Sequence, residues 1–112
     1  MSENLRDCLK EFEFISKLST KLRKQVLQEL SKDEKYYKAL KEISRNIINK
    51  NIRPSEGDKK KLNRFSEEIF EIGSTKVHGP RTKRRIVVQS GGWIGYLIPA
   101  VITAISGLIN GI

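Results

Sequence analysis

The chain has 112 residues and a formal net charge of +9 at neutral pH. This length allows one small domain with appendages and excludes a large catalytic architecture, because so short a chain buries only a modest part of its surface. The positive charge favours anionic partners, and nucleic acid and anionic membranes come first among them.

Two apolar patterns at helical spacing predict two helices in the N-terminal part of the chain. The first pattern steps by three or four residues and consists of Leu5, Leu9, Phe12 and Ile15. The second steps by four and consists of Leu18, Leu22, Val26 and Leu30. Either Ser19 or Thr20 is able to cap the break between the two helices, because each carries a hydroxyl that can accept a backbone N–H bond.

A third helix is predicted to begin at Ser31. Ser31 and Glu34 have the capping-box spacing, in which each side chain binds the other residue's backbone N–H. The apolar face of this helix consists of Tyr36, Leu40, Ile43 and Ile47. Pro54 ends it, because a proline disfavours the helical conformation of the residue before it.

A fourth helix is predicted between Ser55 and Gly73. Ser55 and Asp58 repeat the Ser-x-x-acid start, and Gly73 is placed to cap the end. Its apolar face consists of Leu62, Phe65, Ile69 and Ile72. Narrow apolar faces are buried only by packing together, so we expect an all-α fold, a small bundle of about four short helices over residues 1–72. Such a core seldom supplies more than about 3–5 kcal/mol, so self-association or a larger assembly would help to keep it folded.

Residues 73–92 predict a flexible basic linker that ends in a Gly-Gly pair. Its first part contains glycine, proline and five cations but no acid, which is typical of a solvated cationic arm. The cations are Lys76, Arg81, Lys83, Arg84 and Arg85. We expect them to bind double-stranded DNA without reading its bases, with a log–log salt slope of about −4 to −5. The same run also fits a nuclear-import signal or the cytoplasmic flank of a membrane anchor.

Residues 93–112 predict a hydrophobic C-terminal helix. They carry no charge and are numerous enough to cross a bilayer core, although glycines, a proline and polar side chains make insertion marginal. Three interpretations stay open: a tail anchor, a membrane-active or packing peptide, and a buried terminus used in oligomerisation. The residues that would contact lipid or protein are Trp93, Tyr96, Leu97, Ile98, Pro99, Val101 and Ile105.

The junction between the cations and the tail resembles the C-terminal portion of pX, the adenovirus minor core protein precursor that yields the mu peptide. In that family a very basic peptide is followed by Gly-Gly and by a hydrophobic tail containing Leu-Ile-Pro. The matching positions here are Gly91, Gly92, Leu97, Ile98, Pro99, Ala100 and Ala104. The adenovirus peptide is far richer in arginine than residues 73–85 are, so we expect weaker DNA condensation here.

The helical part is similar to small open reading frames of adintoviruses and Polinton-type elements. There, a Leu-Arg-Lys helix, a helix with asparagine before aliphatic residues, and a Lys-Lys-x-Leu helix precede a basic run and a Gly-Gly hydrophobic tail. The corresponding positions here are Leu22, Arg23, Lys24, Asn46, Ile47, Ile48, Lys59, Lys60 and Leu62, followed by Lys83, Arg84 and Arg85.

The resemblance implies proteolytic maturation. The adenovirus maturation protease cuts after Gly-Gly when an aliphatic, methionine or amide residue lies two positions before the pair. The segment that fits is Gln89, Ser90, Gly91, Gly92 and Trp93, with the cut before Trp93. Two glycines form an extended strand without side chains, which can enter a narrow protease cleft. The competing interpretation is that the glycine pair is simply a hinge.

Catalysis, metal binding and cofactors are not expected. Cys8 is the only cysteine and His78 the only histidine, which excludes a disulfide framework, a multi-cysteine zinc site and a histidine-rich metal cluster. A Cys8–His78 dyad would join a helix to a flexible linker and would lack rigid support. Glu67 and Glu68 are adjacent on a helix and point away from each other.

Together these features predict a minor virion core or structural protein that binds and condenses DNA non-specifically, located in the virion and the host nucleus. The implied partners are double-stranded DNA, capsid or core proteins and a viral maturation protease. The alternative is a tail-anchored or membrane-active protein on an intracellular membrane, in which the cations meet anionic lipid. No apolar signal-peptide core follows Met1, which fits a cytosolic or nuclear protein.

Overall fold

The computed structural model of the chain describes residues 2–49, 56–74, 77–95 and 98. These residues form six α-helices and no strand, so the predicted all-α class is confirmed. The helices are α1 (Glu3–Ser16), α2 (Thr20–Leu30), α3 (Glu34–Ile48), α4 (Glu56–Arg64), α5 (Ser66–Gly73) and α6 (Pro80–Gln89). After a turn at Ser90, residues 91–95 are helical again.

Helix α3 is the centre of the bundle. It packs against α1, α5 and α6, while α2 joins α1 to α6. Its inner residues Ala39, Leu40 and Ile43 have no exposed surface. The positions of α1, α5 and α6 are therefore set relative to α3, and α2 is placed by its contacts with α1 and α6.

The first two helices begin at serine caps. The Ser2 hydroxyl accepts a hydrogen bond from the Leu5 N–H at 3.1 Å, and the Ser19 hydroxyl accepts one from the Leu22 N–H at 3.3 Å. Ser19 is thus the cap of α2, and Thr20 is its first helical residue. The apolar face predicted for α1 is correct, because three of its four members, Leu5, Phe12 and Ile15, are buried and Leu9 packs against them.

The buried face of α2 differs from the predicted one. Leu27, which is outside the predicted pattern, has no exposed surface, whereas Leu22 is half exposed. The predicted residues Val26 and Leu30 are only partly buried at the edge of the core. The reason is that α2 must also pack against the chain after α6, and Leu27 lies on the side that does so.

Helix α3 begins at a different cap from the one predicted. The Asp33 carboxylate accepts a hydrogen bond from the Lys35 N–H at 3.0 Å, so Asp33 is the N-cap. Ser31 instead ends α2, where its hydroxyl donates to a carbonyl of the last turn at 2.7 Å. The predicted Ser31–Glu34 capping box is therefore wrong, because Glu34 is already the first helical residue and its side chain binds Lys83 of α6.

The predicted fourth helix is two helices. Helix α4 ends at Arg64 and α5 begins at Ser66, with a turn at Phe65 between them. Of the predicted apolar face, Ile69 and Ile72 are buried, while Leu62 and Phe65 are only partly buried. The predicted boundary residues Pro54 and Ser55 lie outside the described residues.

Gly73 allows α5 to approach α3 closely. A Cβ at this position would lie 2.6 Å from the Cδ1 of Ile48 and 3.3 Å from the backbone nitrogen of Arg45. Gly73 is the last residue of α5, and Ser74 is the C-cap, so the capping role predicted for Gly73 is wrong. The glycine is needed here for space.

The interval predicted as a flexible linker contains α6. Gly79 is the N-cap of this helix, and Pro80 occupies its first position, where the missing proline N–H removes no helical hydrogen bond. Ile86 and Val87 are buried, and α6 packs against α2 and α3. The flexible-linker prediction is therefore wrong over Pro80–Gln89, because these two apolar residues give the basic segment a face to bury.

The start of the hydrophobic tail belongs to the bundle core. Trp93, Ile94 and Ile98 have no exposed surface, although they were predicted to lie in a segment separate from the bundle. The Ile94 N–H binds the Ser90 carbonyl at 2.9 Å, which continues the helical direction after α6. The rest of the predicted tail, residues 96–97 and 99–112, lies outside the described residues.

Arg23 fastens this segment to the N-terminal helices. Its guanidinium donates to the carbonyls of Gly91 and Leu18, each at 3.0 Å. Gly95 lies directly against the guanidinium, and a Cβ at Gly95 would collide with it. A Cβ at Gly91 would lie 3.0 Å from the Cδ1 of Leu27. Of these two glycines one helical turn apart, Gly95 therefore makes room for Arg23 and Gly91 makes room for Leu27.

Replacing Gly95 by alanine is expected to lower the free energy of unfolding by about 1–3 kcal/mol, because the added methyl group displaces Arg23 from its carbonyl partners. Gly57→Ala is the matched control, since Gly57 is exposed on α4 and no atom lies within 4 Å of an added Cβ. Alanine there should raise stability by about 0.5–1 kcal/mol. Urea denaturation measures both changes. A Gly95→Ala variant as stable as the wild type would show that Arg23 does not hold this segment.

Candidate nucleic-acid interface

Helix α6 presents all three of the predicted phosphate-binding arginines on one exposed side. Arg81, Arg84 and Arg85 have i, i+3 and i+4 spacing, which places them on the same side of a helix. All three are exposed, while Ile86 and Val87 lie on the opposite side of α6, in the core. The folded helix therefore places these arginines in one row that faces solvent.

Lys83 points the other way, towards α3. Its Nζ binds the Glu34 carboxylate and lies 5.3 Å from the centroid of the Tyr37 ring. The hydrogen bond from Lys83 holds the pKa of Glu34 below its usual value, and the charges of Lys83 and Lys38 add to this effect. Lys83 is therefore not part of the exposed row. Lys76, the remaining predicted cation, lies outside the described residues.

Arg85 also has a partner, since its Nη2 lies 3.2 Å from the Glu71 carboxylate of α5. Both side chains are about half exposed, so this ion pair contributes little to stability and a phosphate can compete with it. Arg81 and Arg84 make no ion pair within the part of the chain that the structure describes. Within the row, these two arginines have no carboxylate among the described residues that competes with an external anion.

A buried hydrogen bond positions the start of α6. The Tyr37 hydroxyl lies 2.6 Å from Nδ1 of His78, and both side chains are buried. Burial raises the pKa of the Tyr37 hydroxyl, and the charges of Lys83 and Arg45 offset only part of that rise. Because His78 precedes Pro80 by two residues, this contact fixes where α6 begins relative to α3. No local pattern in the sequence marks the pairing of Tyr37 with a distant histidine.

A groove separates the α2–α3 turn from the first turn of α6. Its volume is about 200 Å³. It is lined by Ser31, Lys32, Glu34, Tyr37, Pro80, Lys83 and Arg84. Three of these residues are cations and one is an acid, so the groove carries a net positive charge and joins the arginine row to α3.

Helix α3 carries further cations that the sequence analysis missed. Lys38, Lys41 and Arg45 follow one another at helical spacing on its outer side. The Nζ of Lys41 lies 5.7 Å from the centroid of the Tyr37 ring, against which Lys83 also lies. Burial lowers the pKa of Lys41, and repulsion from Arg45 and Lys83 lowers it further. The spacing is visible in the sequence, but such a row usually indicates only a solvated helix face.

The predicted cleavage segment is folded. Gly91 and Gly92 are helical rather than extended, and the neighbouring Ser90 and Trp93 are buried. Gln89 and Gly92 are exposed. Proteolytic cutting is favoured where the backbone is free. This segment would therefore have to unwind before a protease could cut it.

The two residues considered for a catalytic dyad have different partners. Cys8 is buried, and burial, followed by the charge of Glu11, raises the pKa of its thiol to about 11. Its Sγ lies 4.0 Å from the Lys35 carbonyl, whereas Nδ1 of His78 bonds to Tyr37. Over the described ranges, no group of three or more potential metal ligands is found.

The predicted lipid-facing residues divide into two groups. Trp93 and Ile98 are fully buried in the bundle. The others lie outside the described residues: Tyr96, Leu97, Pro99, Val101 and Ile105. Among the helices that the structure describes, none is both long and apolar enough to span a bilayer.

Comparisons with protein-family models, curated proteins and solved structures find no match to this chain. The candidate interface therefore rests on its own geometry and charge. It comprises the arginine row of α6, the groove beside it and the cations of α3.

The Glu34–Lys83 pair predicts a pH-dependent contact. The Glu34 carboxyl should titrate below its ordinary value of 4.5, and Lys83→Gln should return the pKa towards that value because the donor is lost. The contact requires the ionised carboxylate, so it is fully present above the ordinary pKa and is lost as the pH falls through the lowered one. An NMR titration of the carboxyl carbon measures the shift. Lys32→Gln is the control, because Lys32 pairs with Glu29 at 3.1 Å and its loss should leave Glu34 unchanged.

Proposed function

We propose that this protein binds duplex DNA without reading its sequence and acts as a minor core protein of a virion, where it helps to condense the genome. The observation that supports this best is the exposed row of Arg81, Arg84 and Arg85 on α6. The order of a basic segment, Gly-Gly and a hydrophobic tail, which resembles the adenovirus core precursor, supports the virion setting. Capsid or other core proteins would be the further partners.

Arginine suits this task for two physical reasons. A guanidinium keeps its charge at all physiological pH values and can donate two parallel hydrogen bonds to a phosphate. Residues three and four positions apart on a helix lie about 5–6 Å from each other, so the row can contact phosphates in succession along one strand. Each contact releases condensed counterions and is therefore strongest at low salt.

Sequence-independent binding follows from what the interface exposes. Contacts to phosphates position a protein on DNA but carry no direct information about the bases. The side chains of Tyr37 and Trp93 are buried, so neither can stack on an unpaired base. A row of three arginines alone predicts a log–log salt slope of about −2.7, shallower than that expected for five cations on a flexible arm.

The fold makes this row more effective than its small size suggests. A side chain on a packed helix loses less conformational entropy on binding than one on a mobile arm, because its backbone is already ordered. Helix α6 is held by the burial of Ile86 and Val87 and by the Tyr37–His78 contact. Fewer phosphate contacts can therefore give useful affinity.

Proteolytic maturation would have a structural consequence in this setting. A cut before Trp93 would break the covalent link between the body and Trp93, Ile94 and Ile98, all three of which are fully buried in the core. On release of this segment the bundle would lose part of its apolar packing, and the α6 row would be held less firmly. Cleavage would thus change DNA condensation as well as release the tail.

The double variant Arg81→Gln/Arg84→Gln is expected to weaken binding to a short duplex of random sequence and to make the salt slope shallower by about 1.8. Both side chains are exposed, so the helical content should stay unchanged. Fluorescence anisotropy over a salt series measures affinity and slope, and circular dichroism checks the fold.

The matched control is Lys10→Gln/Lys17→Gln, which removes the same charge from two exposed positions, Lys10 on α1 and Lys17 at its C-cap. It should bind the duplex nearly as the wild type does. Equal losses in the arginine variant and this control would contradict a role for the α6 row. A wild-type chain that ignores duplex DNA at low salt would overturn the proposal altogether.

The alternative function, insertion of the tail into a membrane, predicts binding to liposomes and not to duplex DNA. Insertion of the whole tail requires Trp93, Ile94 and Ile98 to leave the core, and residues 99–112 alone are too few to cross a bilayer. We therefore expect the folded chain to stay at the bottom of a density gradient with neutral liposomes. Flotation with neutral liposomes, combined with no binding to duplex DNA, would favour the membrane function.

A further inference from the structure

The cations on α3 form a second row beside the first. Lys38, Lys41 and Arg45 lie on the outer side of α3 together with two acids, Glu34 one turn before Lys38 and Glu42 one turn after it. Glu34 is already bound by Lys83 of α6, and the Glu42 carboxylate accepts hydrogen bonds from the N–H and the hydroxyl of Ser2. The outer side of α3 therefore carries one more cation than it has acids, and Lys83 of α6 adds a further positive charge beside it.

Helices α3 and α6 each place one cation next to Tyr37. The ammonium groups of Lys41 and Lys83 lie 5.7 Å and 5.3 Å from the centroid of this one ring, so a cation from each helix is held next to the same aromatic side chain. The bond to His78 keeps the ring in place. The groove then continues this positive surface from Lys83 to Arg84.

The neighbouring cations of α3 and α6 repel one another, and a bound polyanion would offset this repulsion. Arg45 and Lys83 repel Lys41, and this repulsion adds to the effect of burial in lowering the pKa of Lys41. Clustered like charges destabilise a compact protein by self-repulsion and raise its attraction for ligands of the opposite charge. Several phosphates bound together would offset the repulsion more fully than a single small anion would.

We propose that Lys38, Lys41 and Arg45 form a second phosphate-contacting row, which acts together with the α6 arginines and makes the protein prefer a duplex to a single strand. This inference rests on the proposed function. The axes of two packed helices lie about 8–10 Å apart. Rows of cations on two such helices are therefore separated by a distance comparable with the major-groove width of about 12 Å. Rows on two helices can therefore contact the phosphates of both strands, whereas a single strand offers one line of phosphates.

The test compares Lys38→Gln/Lys41→Gln with the control Lys10→Gln/Lys17→Gln. Each variant is titrated with a duplex and with a single strand of the same length over a salt series. For the α3 variant we expect the duplex salt slope to become shallower by about 1.8, with a much smaller change for the single strand. The control should keep the wild-type slopes.

Two further variants separate charge from folding. Lys38→Arg/Lys41→Arg keeps both charges and should retain duplex binding. Lys38→Gln alone changes one exposed side chain and should reduce the slope by about 0.9. An α3 variant that binds both ligands as the control does, or an arginine variant that loses as much as the glutamine variant, overturns this inference.

The outcome for the wild type distinguishes this inference from the proposed function. If the wild type does not bind duplex DNA, the proposed function itself fails. If the wild type binds and only the Arg81→Gln/Arg84→Gln variant is impaired, the proposed function stands and the second row is wrong. Equal loss of duplex and single-strand binding in the α3 variant also contradicts the preference for a duplex.

Discussion

The burial of one side of α6 and of the turn that follows it determines where the positive charge of this molecule lies. Ile86, Val87 and Trp93 can reach the core only if the opposite side of the helix faces water, and that side carries the arginines. The hydrophobic effect that buries the apolar side of α6 therefore also makes the arginines face solvent, although it does not act on the arginines themselves. A basic segment without these apolar residues would have no preferred direction.

Helix α3 links the interior of the protein to its charged exterior. Its inner side holds the core, and its outer side carries cations that approach those of α6 around Tyr37. Tyr37 belongs to both regions, because its ring is buried while its neighbours are charged. The Tyr37 side chain therefore contacts both the packed core and the surface cations. A change in the α3–α6 contact would alter the spacing of those cations.

The sequence predicted what depends on local patterns and missed what depends on distant partners. The spacing of apolar residues predicted α1 and α3, and Ser19 was one of the two residues predicted to cap α2. Helix α6 was missed because glycine, proline and cations are typical of a solvated linker, and the adjacent apolar residues Ile86 and Val87 form no helical pattern of their own. The Arg23–Gly91 bond and the α3 cations were also missed, since the first joins residues far apart and the second resembles an ordinary solvated face. The virion setting and the cleavage site stay predictions.

The bond between Arg23 and Gly91 also constrains the order in which the molecule can fold during synthesis. The two residues are separated by 68 positions, so the contact closes a loop that spans most of the chain. Such distant contacts form slowly, because a long loop must be ordered before it is stabilised. Helices α1 and α2 will leave the ribosome well before their C-terminal partner does. Until the segment around Gly91 emerges, Leu27 stays uncovered, and the nascent chain is most exposed to chaperones and to aggregation during that interval.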